Sequence, residues 1–235
     1  MSNAETLTPI TDGLWGYEYD LYMFGIVHIT VRPLVATLPD GGLWVCSPGP
    51  ITDRLAAQLE SLGPVRHLIS PNLYHHLTLG DAARRWPEAT IWAPEGLAKK
   101  RPDLPAHRLL GPEASAAWGG LFDLQPIEGA PHLNEWVFLH RPSRALLVTD
   151  LLFNLQRWQG WASSVAYWAT GISGHRLAQS HEWRLLLVKD RAAAARSARA
   201  VIAWEPQILV PSHGDVLRAD VISELKRALS WMLGG

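Results

Sequence analysis

Gln207-Ile208-Leu209-Val210-Pro211-Ser212-His213-Gly214-Asp215 reads as an apolar β-strand that ends in a tight turn carrying a histidine and an aspartate. Such a placement has chemical use, because a strand fixes the backbone while the loop beyond it frees the side chain. Two other apolar runs end in the same way. Arg66-His67-Leu68-Ile69-Ser70 leads into Pro71-Asn72-Leu73-Tyr74-His75-His76, and Ala145-Leu146-Leu147-Val148-Thr149 leads into Asp150. Imidazoles combined with a carboxylate suit zinc, iron or manganese. A His-His pair is more often a surface or capping feature, and a lone Asp after a strand is more often a turn residue. Three such strand ends in one chain make a shared site the expectation.

Outward from these strands, the first half reads as a meander. Short strands are expected at Leu14–Tyr17, Val27–Thr30 and Leu34–Leu38, with Pro33 at an edge or bulge. Pro39-Asp40-Gly41-Gly42 is a hairpin turn, and Leu43–Cys46 is the returning strand. Thr52 caps a helix with leucines and alanine at 55, 56, 59 and 62, which Gly63-Pro64 stops. Val65–Ser70 is a strand. Thr78-Leu79-Gly80-Asp81 resembles a capping box opening a helix that ends near Trp86-Pro87. Ile91–Ala93 is a strand and Leu97–Lys100 a helical turn. Later strands are expected at Leu121–Leu124, Trp136–Leu139, Leu146–Thr149 and Gln207–Val210. Helices are expected at about Trp158–Ala169, His181–Val188 and Arg191–Trp204, and from Asp220 onward. Hairpin strands followed by interleaved helices predict two mixed sheets with helices outside. No glycine-rich loop follows the first strand, which argues against a dinucleotide-binding fold.

Bulk properties exclude some classes. Of 235 residues, 48% are hydrophobic and 18% charged, enough for a real core and too apolar for disorder. A net charge of −1 with mixed signs argues against nucleic acid or an anionic membrane as the main partner. Met1–Thr11 has neither a basic start nor an apolar stretch, so no signal peptide is expected, and no run is long enough to span a bilayer. Cys46 is the single cysteine, so no internal disulfide forms. These features together predict a cytoplasmic protein.

The order of strand ends, with Thr149-Asp150 and then Ser212-His213-Gly214, resembles the metallo-β-lactamase superfamily. The chain is most similar to a bacterial branch known only as a domain of unknown function. The likeness rests on Asp40-Gly41-Gly42-Leu43-Trp44-Val45, Ser47-Pro48, Pro71-Asn72 with its following His pair, Glu135-Trp136-Val137-Phe138 and Thr149-Asp150. It runs from about Leu14 to Leu229 and implies one α/β domain over 1–235, a four-layer αββα sandwich with a cleft along one edge. The superfamily's metal motif is Thr-His-x-His-x-Asp-His. Laid on Ser70–His76, it puts Pro71 and Leu73 where two His ligands stand, His75 on the Asp and His76 on the last His. Ala130, in Glu128-Gly129-Ala130-Pro131-His132, takes a further ligand place, while Asp150 and His213 match the remaining ones.

Pro, Leu and Ala have no side-chain lone pair to donate, and they occupy the three ligand places of one metal position. The resemblance therefore implies a mononuclear site at most. Its expected ligands are His75, His76, Asp150 and His213, and its ion is zinc, with iron or manganese as alternatives. A bound ion would make water available as hydroxide near neutral pH, so the expected activity is hydrolysis of a small organic molecule. No catalytic side chain and no organic cofactor is assigned. Three alternatives stay open: a metal-free, hydrogen-bonded relic of the site; a non-catalytic small-molecule-binding protein that reuses the cleft; and an iron-dependent redox variant.

Lesser candidates complete the reading. His132 is a lesser candidate to substitute for the missing loop ligand. Glu135 is expected to pair with a backbone group or an Arg, and Asp215 to orient His213. His28, His67, His107, His140, His175 and His181 are read as structural or solvent-exposed, and Cys46 as a small core residue. Most of the 12 tryptophans are expected in the core. Residues 151–174, with Phe153, Trp158, Trp161, Tyr167 and Trp168, are read as a lid or a homodimer contact rather than plain core.

Overall fold

The computed structural model describes residues 6–157, 159–174 and 176–234, so Trp158 and His175 lie outside the described residues. The chain divides into two compact units. The first holds residues up to Tyr19 and Arg32–Asp123; the second holds Asp20–Val31 and everything from Leu124.

The first unit is built on a seven-stranded sheet with spatial order β1 (Thr8–Thr11), β2 (Leu14–Gly16), β5 (Leu34–Thr37), β6 (Leu43–Cys46), β7 (Val65–Ile69), β8 (Thr90–Ala93) and β9 (Arg108–Leu109). The strands are antiparallel as far as β6 and parallel from there. The expected hairpin at 39–42 joins β5 to β6. Gly41 has φ +80°, and Asp40 Oδ1 accepts from Gly42 N–H at 2.9 Å. Strand alternation sends Val35, Val45, Leu68 and Ile91 into one core cluster, with Leu55 and Leu59 of α1 (Asp53–Leu62) and Leu79 and Ala82 of α2 (Leu79–Arg85). Each fully buried leucine there contributes roughly 1.5–3 kcal/mol. A separate aromatic cluster joins Trp44 to Phe122, with ring centroids 4.5 Å apart, and Trp92 to Trp118, 5.8 Å apart. These rings account for part of the tryptophan content as core. Two short helices, α3 (Leu97–Lys100) and α4 (Pro112–Ala117), complete the unit.

Thr52 caps α1 as expected, accepting from Leu55 N–H at 3.2 Å. The capping box at Thr78 does not form. The Thr78 hydroxyl donates to Pro48 O, and Asp81 pairs with Arg84. A tertiary acceptor for Thr78 outcompetes the local cap.

The second unit carries a four-stranded sheet, β10 (Phe122–Pro126), β11 (Trp136–His140), β12 (Ala145–Val148) and β13 (Ile208–Pro211), and a hairpin of β3 (Tyr19–Met23) and β4 (Val27–Val31). The first residues of β3 and β10 belong to the first unit. The β11–β12 pair is antiparallel and β12–β13 parallel, so both larger sheets are mixed, as the sequence predicts. Helices α5 (Trp161–Thr170), α6 (Arg191–Ala203), α7 (Val221–Ala228) and α8 (Ser230–Leu233) follow the expected order, with α8 an added final turn. The expected helix at His181–Val188 is π-helical over Trp183–Leu187, closed by Val188 N–H donating to Trp183 O at 3.0 Å. Strands β1, β3 and β9 and helix α4 carry patterns too short or too polar for periodicity to reveal. No helix among the described residues is long and apolar enough to cross a membrane.

Candidate metal centre

In the second unit, strand register brings two of the expected ligands together. Parallel β12 and β13 pair Leu147 with Val210 and Val148 with Pro211, and Ser212 N–H donates to Val148 O at 2.9 Å. Asp150 and His213 each lie two residues beyond the Val148–Pro211 pair, so they leave the sheet together. His213 Nε2 stands 3.4 Å from Asp150 Oδ1, and His213 is only 4% exposed.

The turn explains why a glycine follows this histidine. Gly214 has φ +101°, and a Cβ there would lie 2.0 Å from Asn154 O. Asn154 N–H donates to His213 O, and Asp215 N–H donates to Asn154 O. Phe153 stacks on the His213 ring with centroids 5.1 Å apart.

Thr30 fixes the ring's protonation. Its carbonyl can only accept, so His213 Nδ1, at 3.3 Å, carries the hydrogen and Nε2 keeps a lone pair. That lone pair faces a carboxylate oxygen. The arrangement is repulsive unless a positive species, either a metal ion or a second proton on the ring, lies between the two atoms. This is the donor chemistry of a ligand pair, with the far ring nitrogen bound to a carbonyl as metal-bound histidines usually are. The Asp215 carboxylate pairs with Arg157 at 3.2 Å, and the backbone carbonyl of Thr30 orients His213.

Asp150 is held through its backbone. Glu135, fully buried, accepts the N–H groups of Thr149, Asp150 and Leu151 at 2.9, 3.0 and 3.1 Å. The expected backbone pairing of Glu135 is thus present and serves the loop that carries Asp150. Burial, and then the nearby Asp150 carboxylate, raise the Glu135 pKa to about 7, against the lowering effect of these N–H donors. Trp183 Nε1 donates to Asp150 O at 2.7 Å. Burial and Asp150 also raise the pKa of Glu182. Sequence reasoning missed Trp183 and Glu182, because neither stands in a local motif with Asp150.

In the first unit, β7 delivers the histidine pair through a tight turn. Asn72 Oδ1 accepts from both Tyr74 and His75 N–H at 2.8 Å, and Ser70 Oγ donates to Asn72 O and His75 O. The two rings meet different partners. His75 Nδ1 lies 2.6 Å from Ser47 Oγ. His76, 6% exposed, has its Nδ1 at 3.0 Å from Arg101 Nη1. A guanidinium only donates, so His76 Nδ1 accepts and a neutral ring carries its hydrogen on Nε2. Burial, then Lys100 and Arg101, lower the His76 pKa. His76 therefore has no nitrogen lone pair to offer while Arg101 stays in place.

Two of the three residues expected to replace ligands are built into hydrophobic cores. Leu73 belongs to the core cluster of the first unit and Ala130 to that of the second. His132 is exposed beyond Ala130. The other histidines have structural partners where these are described: Asp20 for His28, Trp92 for His67 and Ser143 for His140, while the His181 ring packs against Gly171. Cys46 is buried in β6, as expected of a core residue.

Comparison with known proteins fits this architecture. A metallo-β-lactamase from Erythrobacter litoralis with β-mercaptoethanol in its active site superposes with a TM-score of 0.67 at 14% identity, covering 98% of each chain. The metallo-β-lactamase FIM-1 from Pseudomonas aeruginosa, in a mono-zinc form, gives 0.64 at 16% identity, covering 98% of this chain and 96% of that one. VMB-1 gives 0.67 at 12% identity, covering 99% and 98%. At such identities the likeness shows the fold, which is the metallo-β-lactamase αββα class. No curated protein matches the chain. The family described as Domain of unknown function (DUF4336) matches residues 11–160, more than half of the 235 residues, and the chain belongs to that family.

Proposed function

We propose that the protein is a mononuclear metal-dependent hydrolase of a small organic substrate, with one divalent ion held by His75, Asp150 and His213. Asp150 and His213, which the second unit brings together, supply a carboxylate and an imidazole of the types that hold a metal ion, and His75 offers a second imidazole. The observation that carries the reading is His213 Nε2 at 3.4 Å from the Asp150 carboxylate while Nδ1 lies 3.3 Å from Thr30 O, a group that only accepts. His76, the fourth ligand expected from sequence, is left out because Arg101 occupies its Nδ1. Zinc is the favoured ion, since imidazole and carboxylate suit it and FIM-1 is known in a mono-zinc form. The reading treats residues 1–235 as one domain and places it in the cytoplasm, in line with its single buried cysteine.

An ion in this site would lower the pKa of water and polarise a substrate carbonyl or phosphoryl oxygen. The chain's own residues hold the donors. Thr30 sets the His213 tautomer, Glu135 and Trp183 hold the Asp150 backbone, and Asn72 and Ser70 hold the His75 backbone. The test is elemental analysis of protein purified without added metal, with His213→Ala alongside. About one equivalent of zinc, iron or manganese in the wild type and its loss in the variant support the reading. Metal-free wild type that also takes up no added ion removes it.

A second reading, a non-catalytic binding protein, is favoured by Leu73 and Ala130, core residues without a side-chain lone pair at two places where the superfamily resemblance expects ligands. A wild type that binds metal yet turns over no ester, lactam, thioester or phosphoester would favour it.

A homodimer contact through α5 is also part of the proposal. Trp161, Val165 and Trp168 lie at i, i+4 and i+7, and are 76%, 60% and 75% exposed. An apolar face of this kind usually marks a contact surface. A monomer by light scattering at all accessible concentrations would remove it.

A further inference from the structure

Ser47 lies just past β6, where it has φ +52° although it is not glycine. A left-handed serine is strained where glycine would not be, and such outliers persist where a side chain is needed. The residue is 3% exposed, and its N–H donates to Ile69 O at 2.8 Å. Its hydroxyl lies 2.6 Å from His75 Nδ1. The backbone on both sides of this bond is clamped. Pro48 O accepts from the Thr78 hydroxyl, and the His75 backbone is bound by Asn72 and Ser70. The Ser47–His75 bond thus joins two residues with little freedom to separate.

The three histidines of interest meet three kinds of partner. Arg101 only donates, which leaves His76 with its hydrogen on Nε2. Thr30 O only accepts, which leaves His213 with an Nε2 lone pair. A serine hydroxyl does either. With Ser47 donating, His75 Nδ1 accepts and Nε2 keeps its hydrogen. With Ser47 accepting, Nδ1 carries the hydrogen and Nε2 offers a lone pair.

We infer that Ser47 is the positioning residue of His75, a two-way hydrogen-bond partner that lets this ring change tautomer when a cation binds. The inference rests on the metal-site reading above and deepens it. It makes His75 a conditional ligand, recruited by the ion, whereas His213 is preset by its carbonyl.

The test uses Ser47→Gly, which removes the hydroxyl and relieves the backbone at φ +52°. The full-length protein is stripped of metal and titrated with Co(II) for affinity, and imidazole nitrogen NMR is recorded before and after loading with diamagnetic Zn(II). In wild type, the His75 hydrogen is expected on Nε2 without metal and on Nδ1 with it. Ser47→Gly is expected to bind Co(II) about 10–100-fold more weakly, the usual effect of removing a partner of a ligand, with metal-free melting unchanged or raised. A wild-type protein that binds no Co(II) overturns the metal-site reading and this inference with it. If wild type binds Co(II) but Ser47→Gly binds it equally well, or His75 keeps one tautomer throughout, the role of Ser47 alone is overturned. The wild-type NMR decides the question even if the variant folds poorly.

Discussion

The indole of Trp183 donates to the backbone carbonyl of Asp150 across 2.7 Å, tying the π-helical turn of Trp183–Leu187 to the proposed ligand loop. Trp183 is fully buried, so its N–H has no water to fall back on. Trp183→Phe keeps most of the apolar volume and removes only the donor. It should cost about 1–3 kcal/mol, the penalty for a buried carbonyl losing its partner. Chemical denaturation measures that loss, and metal affinity should fall with it. Unchanged stability and affinity would make the contact incidental.

Glu135 acts on the same loop from the other side. Its carboxyl group accepts three buried N–H groups, so Glu135→Ala should destabilise the protein by about 3–5 kcal/mol, several buried donors losing their acceptor at once. The carboxyl also has a direction in pH. Its pKa is raised from 4.5 to about 7, so the folded state holds a proton that the unfolded state has lost. That contribution to stability is complete below pH about 4.5 and declines as pH rises toward 7. A stability–pH curve for Glu135→Gln should lack this decline. A variant curve parallel to wild type over that window counts against the assignment.

His140 gives the opposite slope. It is 1% exposed at the end of β11, beside the Ser143 hydroxyl at 2.7 Å, and burial lowers its pKa from 6.5 to about 4. The folded state keeps the ring neutral while the unfolded state takes up a proton. The stability this supplies is complete above pH 6.5 and is lost as pH falls through 4. The loss amounts to about 2–3 kcal/mol. Urea denaturation at pH 7 and pH 4.5 measures it, and His140→Phe should flatten the difference.

Gly214 is the most constrained residue of the His213 turn. Its φ of +101° disfavours any side chain, and a Cβ would overlap Asn154 O. Gly214→Ala should therefore cost about 2–4 kcal/mol from strain and overlap together. It should also displace the His213 ring from Thr30, which weakened metal binding would report. A variant as stable as wild type would mean that the turn adapts more freely than its packing suggests.

Much of this was legible along the chain. The hairpin at 39–42, the Thr52 cap and the strands ending at Ser70, Thr149 and Ser212 are local events. Turn chemistry, capping and apolar alternation each act over a few residues, and a sequence displays them directly. The meeting of Asp150 with His213 was legible too, as part of the shared site expected where apolar strands end in metal-capable residues. The losses at Pro71, Leu73 and Ala130 were readable in the same way, since a residue without a lone pair cannot be a ligand wherever the fold puts it.

What the chain could not disclose alone was the hydrogen-bond partner of each donor. His75 and His76 are adjacent and chemically identical in sequence, yet Ser47 meets one ring and Arg101 the other. Those partners lie 28 and 25 residues away. Thr30, 183 residues before His213, sets that ring's tautomer with a backbone carbonyl, a group every residue possesses and no motif marks. A residue's type determines whether it can donate a lone pair. Only the packed tertiary structure determines whether that lone pair is free, because the competing donors and acceptors arrive from distant strands.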